Sequence, residues 1–317
     1  MAEIGQDIQA AAEFLQSTVI GLPTETVYGL AGNALDSARV ADIFRIKQRP
    51  YFDPLIVHVP NVEALSPLIT DFPEPLRKLA DRFWPGPLTL LLPRSKTIPD
   101  LTCAGLPHAA FRIPEHPMAL ALLNKCGLPL AAPSANPFGY ISPTTAMHVA
   151  AQLGDSIPYI LDGGPCRIGL ESTIVGMENN NIVVYRLGGI ALSEIESVIG
   201  ECKLLANESS NPRAPGMLKS HYAPHKKLLL GNLDELLIAN LERQPILIVF
   251  GPFRKDYPEA MQLNLSAAGD VNEAAANLFS QLRKADEAAQ TLILAELIPS
   301  AGLGSAINDR LRRAAAN

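Results

Sequence analysis

Proline does more than any other residue to limit what this chain can become. There are 27 prolines in 317 residues, and they come in clusters. Each one fixes φ, removes a backbone donor and pushes the residue before it out of the helical region. Long helices are excluded over most of the chain, which leaves an irregular α/β architecture of short elements. Between the prolines, hydrophobic periodicity predicts helices over 4–15, 37–47, 64–68, 75–83 and 117–124. It predicts strands over 19–22, 55–59, 88–92, 109–113, 130–132, 159–161, 173–175 and 182–185. Residues 26–30 read as the lead into a loop. The elements interleave without a strict βαβ rhythm, so a twisted mixed sheet is expected rather than an all-parallel one.

The pattern changes after Gly200. Residues 206–226 are polar, proline-rich and non-periodic, and read as a linker between domains. Beyond them, strands over 228–231, 245–250 and 291–295 alternate with helices over 233–241, 272–285 and 305–316. That alternation predicts a small Rossmann-like parallel-sheet α/β domain. The chain therefore divides into 1–205, a linker 206–226, and 227–317. Residues 1–200 hold 13 Lys and Arg against 19 Asp and Glu, while 201–317 hold 13 of each. The formal net charge of −6 argues against a protein coated in nucleic acid. A hydrophobic content of 48% excludes a disordered or collagen-like chain. Cys103, Cys126, Cys166 and Cys202 have neither metal-ligand nor redox spacing, so reduced thiols in a cytoplasmic protein are expected. The N-terminus lacks the basic-then-apolar pattern of a signal peptide, and the apolar run 88–92 is far short of a membrane span.

The standard nucleotide and hydrolase motifs are absent: no Walker A, no GxGxxG after a strand, no GxSxG, no HExxH. His221 and His225 are four apart, but Pro224 between them breaks a helical two-histidine metal face. No residue is assigned as a metal ligand. Any anion site must be built from dispersed side chains. In 21–30, Thr24, Thr26 and Tyr28 follow a strand end, where α/β ligands bind; threonines capping a turn explain the same pattern. Lys47 and Arg49 close a helix whose dipole favours cations, and Pro50 and Pro54 stiffen the chain behind them. Together they make a clamp for phosphate or carboxylate. His58 on its strand reads as core or as site. Ser134 and Asn136 share one side of a proline-stiffened segment, with Ser142 on the same loop. They suit anionic oxygens as well as loop capping. Arg112, Ser172, Arg186 and Tyr222 are weak candidates individually. The turn of 84–89 reads as buried, its prolines carrying shape rather than chemistry.

Their order along the chain is more specific than any one of them. TETVYGL, KQR, PLIVH, WPGPLT, SAN, GLESTIVG, RLGG and HYAP follow one another. This succession resembles the threonylcarbamoyl-AMP synthase family, whose catalytic unit is the YrdC-like domain. The likeness covers residues 5–200, and 269–286 and 302–314 resemble the C-terminal extension of the two-domain members. It implies a YrdC-like twisted mixed-sheet domain and a nucleotidyltransferase activity. L-threonine, bicarbonate or CO2, and ATP would give threonylcarbamoyl-AMP and pyrophosphate. The product would feed a downstream tRNA-modifying threonylcarbamoyl transferase complex. Catalysis would be positioning and charge stabilisation, without a covalent intermediate.

Carried over position by position, the resemblance assigns Thr26, His58, Arg112, Ala132 and Ser172 to threonine. It assigns Arg49, Asp53, His108, Ser134, Ser142, Arg186 and Tyr222 to ATP. Lys47, Arg49, Ser134 and Asn136 would be catalytic, and Mg2+ would accompany ATP. Tyr222 lies in the linker, which would then cover the site. The chain departs from the family pattern at Asp53, often Asn, and at His108, often Thr. It reads GLAGN for GLGAN and RLGG for RPGG. Two other readings compete. A carbamoyl-transfer module of the hydrogenase-maturation kind would need zinc-finger cysteines that are missing. A double-stranded-RNA-binding or ribosome-associated factor would make a weak RNA contact, which the acidic N-terminal half disfavours.

Overall fold

The computed structural model of the protein describes residues 1–205, 214–215 and 221–316. The first strands are β1 (Glu3–Gly5), β2 (Ile20–Leu22), β3 (Gly29–Asn33), β4 (Ile56–His58), β5 (Leu88–Pro93) and β6 (His108–Arg112). They are followed by β7 (Leu130–Ala131), β8 (Tyr159–Leu161), β9 (Thr173–Glu178), β10 (Asn181–Arg186) and β11 (Lys203–Leu204). Among the described residues these form one sheet in the order β1-β8-β2-β3-β7-β4-β6-β5-β9-β10-β11. The sheet is mixed: β4 and β6 run parallel, while β5 pairs β6 and β9 pairs β10 antiparallel. A second sheet comprises β12 (Lys227–Leu230), β13 (Ile246–Val249), β14 (Gln262–Asn264) and β15 (Leu292–Ala295). It is parallel throughout, in the order β12-β15-β13-β14. The chain thus forms the mixed-sheet α/β unit and the smaller parallel-sheet unit that its patterning implies.

Several elements differ from the sequence expectation, each for a local reason. The helix expected over 4–15 is shorter. Residues 3–5 pair with β8, and the Asp7 carboxylate caps a helix Ile8–Phe14 by accepting from the amides of Gln9 and Ala10. The helix expected over 64–68 is one 3-10 turn, Glu63–Leu65. Residues 29–33, read as loop, form β3 because the Leu30 amide bonds Pro133 and strands β2 and β7 flank it. Helices Asp100–Cys103, Ala146–Leu153 and Leu192–Ile199 were not expected. Most of the segment 206–226 lies outside the described residues.

The two units are bound through specific groups. Helix Val271–Glu287 passes so close to Gly169 that a Cβ there would lie 2.5 Å from the Ala275 carbonyl oxygen, and Gly169 has φ +74°. Arg283 of that helix donates to the Ile141 carbonyl and, at 3.0 Å, to Gln152 Oε1. Tyr140 donates back to Asp286 at 2.7 Å. One core cluster includes Val27, Ile141 and Leu170 of the first unit with Leu278, Phe279 and Leu282 of the second. Among the described residues, no helix is long and apolar enough to cross a membrane.

Candidate active site

A cavity opens where the ends of β4, β6 and β9 meet the turn after β2 and the loop after β7. Strand alternation puts Ile56 and His58 on one face of β4, and Ala110 and Arg112 on the same face of β6. Gly29 lets the β7 loop come close, since a Cβ there would stand 3.0 Å from that of Ala132. Thr26, His58, Arg112, Ala132, Ser172, Arg49, Ser134, Arg186 and Tyr222 line the cavity together. The structure therefore brings most of the expected residues to one place.

At one end Arg112 is held by three partners. Arg112 Nε donates to the Gly86 carbonyl at 3.1 Å, Nη1 to Thr26 Oγ1 at 2.8 Å, and Nη2 to Glu25 Oε1 at 2.5 Å. Proton direction around Thr26 follows from the partners. Thr24 must give its single proton to the Val27 carbonyl, 2.6 Å away. Thr26 then donates to Thr24 at 2.8 Å and accepts from Arg112. The threonines cap the turn and face the cavity at once, so both readings of that block hold. Among the described residues, one N–H on each terminal nitrogen of Arg112 has no partner. The Gly86 carbonyl shows that the proline turn also orients a cation, beyond the shape expected of it. His58 is buried. Desolvation, then the charge of Arg112, pushes its imidazole down to about 3, so it is neutral at ordinary pH.

At the other end, helix Ser37–Lys47 stops at Gln48, which takes a left-handed φ of 53°, and the chain turns so that Arg49 enters the cavity. Arg49 is fixed by the Asp53 and Pro54 carbonyls at 3.0 and 2.8 Å and by Asp53 Oδ2 at 2.9 Å. Asp53 is thus spent on Arg49 and is not among the lining residues. A register shift between Val184 and Arg186 turns Arg186 inward. Arg186 Nη2 donates to the Ser172 carbonyl at 2.9 Å and to Ser172 Oγ at 3.1 Å, and Nη1 donates to the Pro215 carbonyl at 3.3 Å. Burial lowers its pKa to about 10, which leaves it charged. Tyr222 closes this end, buried, with φ 64°.

Besides Asp53, four expected residues do not line the cavity. Lys47 is buried behind it, and Nζ donates to the Ser134 and Asn136 carbonyls, each at 2.6 Å. Asn136 turns its amide onto the Pro137 and Tyr140 carbonyls at 2.8 and 2.9 Å. Both hold the Ser134 loop rather than point from it. Ser142 donates to Glu171 Oε1 at 2.6 Å. His108 shares the strand face of Arg112 but sits at the far end of β6, exposed, in a neighbouring hollow with Leu91, Met177 and Tyr185.

The structure also adds residues that local reading missed. Glu171 lines the cavity and Glu25 stands behind Arg112. His221 and Pro215 line it from the second half of the chain. Arg310, fully buried in helix Gly304–Ala314, reaches Glu171 Oε2 at 2.9 Å. Glu171 and Arg310 fall inside motifs that the sequence displays, GLEST and NDRLRRA, yet their pairing spans 139 residues.

The family model described as "Telomere recombination", that of the Sua5, YciO and YrdC proteins, matches residues 13–188. The model described as "Threonylcarbamoyl-AMP synthase, C-terminal domain" matches 190–316. The chain belongs to the threonylcarbamoyl-AMP synthase family. A relative of that name from Pyrococcus abyssi is 41% identical, over 97% of this chain and 93% of its own. One from Bacillus subtilis is 40% identical, over 98% and 93%. The crystal structure of P. abyssi Sua5 complexed with L-threonine superposes with a TM-score of 0.91 at 40% identity, covering 97% of this chain and 94% of that one. Escherichia coli YciO, at 23% identity and a TM-score of 0.53, covers 59% of this chain and shares the fold of the first unit. The superposition on P. abyssi Sua5 extends across both sheets of the chain.

Proposed function

We propose that the cavity is the active site of an L-threonylcarbamoyladenylate synthase. The chain is an ATP-using transferase that joins L-threonine, bicarbonate or CO2, and the AMP portion of ATP, and releases pyrophosphate. The threonine amine adds to CO2 and loses a proton to give a carbamate; from bicarbonate, the same carbamate forms with loss of water. A carbamate oxygen attacks the α-phosphorus, and pyrophosphate leaves. Neither step needs a protein nucleophile, so a cleft of fixed cations and small hydroxyls suits it.

Thr26, His58, Arg112, Ala132 and Ser172 make the threonine side. The two free N–H groups of Arg112 take the carboxylate, while Glu25 and Thr26 hold the guanidinium in orientation. Neutral His58 offers a hydrogen bond without repelling the substrate amine. Arg49, Ser134 and Arg186 make the nucleotide side under Tyr222, with Asp53 and Ser142 behind them. Lys47 and Asn136 act by fixing Ser134, and His108 marks an outer extension of the same sheet face. Among the described residues no group of three His, Cys, Asp or Glu side chains could hold a metal ion. The acids nearest the cleft, Glu25, Asp53 and Glu171, are each paired with an arginine. That donor set does not make a cage for a resident metal, and Mg2+ enters on the phosphates of ATP. Residues 1–205 are read as the catalytic domain, 206–226 as a linker whose described residues Pro215, His221 and Tyr222 line the site, and 227–317 as the C-terminal domain. The product passes to a tRNA-modifying threonylcarbamoyl transferase complex in the cytoplasm.

The observation that carries this is the convergence of Arg112, Arg49 and Arg186 on one cavity in a chain of this family. The test measures pyrophosphate and the AMP-containing product from ATP, with threonine and bicarbonate omitted in turn. Both omissions should abolish product. Pyrophosphate release that ignores threonine overturns the assignment.

A further inference from the structure

Arg310 lies in the second unit, yet it is among the largest fully buried side chains of the protein. Each of its three nitrogens donates to a different neighbour. Nε donates to Glu171 Oε2 at 2.9 Å, Nη1 to Asp309 Oδ2 at 2.7 Å, and Nη2 to the Leu187 carbonyl at 2.9 Å. Its guanidinium carbon also stands 5.0 Å from the centroid of the Tyr222 ring. The ring also stacks on Phe279, likewise of the second unit, at 5.5 Å and 27°. Glu171 lines the cavity next to Ser172, and its other oxygen accepts from Ser142. A buried carboxylate facing a site for a polyphosphate opposes binding unless a cation neutralises it. Arg310 is that cation, and the planar face of the same guanidinium backs the tyrosine.

We infer that Arg310 is a positioning residue through which the C-terminal domain completes the nucleotide side of the site. It neutralises Glu171 and sets Tyr222 over the cavity, touching no reacting atom. The C-terminal domain is thereby part of the ATP site. The inference rests on the reading that Tyr222 covers the nucleotide.

The test compares Tyr222→Ala, Arg310→Met, Glu171→Gln and the double variant Arg310→Met/Glu171→Gln in the full chain, with KM for ATP, KM for threonine and kcat measured separately. Arg310→Met should raise the KM for ATP about tenfold or more and move the KM for threonine much less. Removing the Glu171 charge in the double variant should recover part of that loss, so the two changes are not additive. A merely structural arginine would lower stability without this split or rescue. If Arg310→Met does not fold, Arg310→Lys with and without Glu171→Gln carries the same comparison at about threefold, because lysine keeps the charge and loses the plane. An unchanged KM for ATP in a folded Arg310 variant, or strictly additive effects, overturns the inference. If Tyr222→Ala raises the KM for ATP and the Arg310 variants do not, the inference alone fails. If Tyr222→Ala leaves it unmoved, the covering role of Tyr222 fails and the inference with it.

Discussion

The two ends of the cavity are built on different plans. At the Arg112 end every partner, Glu25, Thr26 and Gly86, comes from the first 112 residues of the mixed-sheet unit. At the Arg49 and Arg186 end the floor belongs to that unit, but the cover is Pro215, His221 and Tyr222, backed by Phe279 and Arg310. The first end is braced within one unit, and the second is assembled from both halves of the chain. An amino-acid pocket that selects by close fit gains from the first plan. A nucleotide site that must admit a large anion and then exclude water gains from the second.

Breaking the first end should have the largest effect. Arg112→Ala removes the proposed carboxylate partner and leaves Glu25 buried without its cation. The loss in kcat/KM for threonine should be about a thousandfold, with a stability loss of about 3–5 kcal/mol. Denaturant unfolding and initial-rate kinetics check both. Glu25→Gln in the same background should return much of the stability and none of the threonine affinity. A fall in ATP affinity equal to that in threonine affinity would show that the two ends are not separate. Arg49→Ala addresses the other end. It should lower kcat about a hundredfold and leave the KM for threonine within a few-fold of the parent. Equal damage to the threonine KM would again merge the ends.

Lys47→Met sharpens the comparison by testing support rather than contact. Its Nζ ties two carbonyls of the Ser134 loop, and methionine would leave both buried oxygens without that donor. Stability should fall by about 1–3 kcal/mol. The rate should fall about tenfold through loss of Ser134 placement, again with the threonine KM little changed. A loss as large as that of Arg49→Ala would mean that Lys47 meets the substrate directly.

Lys47 also shows where sequence reading runs out. The KQR and SAN blocks were visible because each is local. A helix end, two prolines and a small polar pair announce an anion site, and His58 and Arg112 lie at the strand ends where such sites form. Which of those side chains points into the cavity depends on tertiary geometry, and Lys47 and Asn136 turn out to be braces. Glu25, Glu171 and Arg310 were invisible for a different reason. An isolated acid or arginine reads as solvated surface, and only contacts across 87 and 139 residues bury these as pairs. The same holds for elements. The parallel unit was legible from strict strand and helix alternation. Helix Leu192–Ile199 depends on Glu194 capping the Ala191 amide at 3.0 Å, a cue that a window of apolar periodicity passes over.

The last test concerns pH, and it separates the ends by a route that does not remove a charge. The folded His58 ring has its pKa depressed to about 3 from the ordinary 6.5. Below pH 6.5 the unfolded chain takes up a proton that the folded chain refuses, so stability falls as pH drops through the window from 6.5 toward 3. Above 6.5 this contribution is fully present. One such proton gives a slope of up to about 1.4 kcal/mol per pH unit. His58→Asn should flatten the acid limb of stability by about that amount and raise the KM for threonine. His148 provides the control. Burial, then Arg283 and Lys284, pushes it down to about 4, and it sits in helix Ala146–Leu153, outside the cavity lining. His148→Asn should flatten the limb similarly while the threonine KM stays unchanged. If both variants alter stability alone, His58 is a buried histidine of the sheet, and the Arg112 end selects threonine without it.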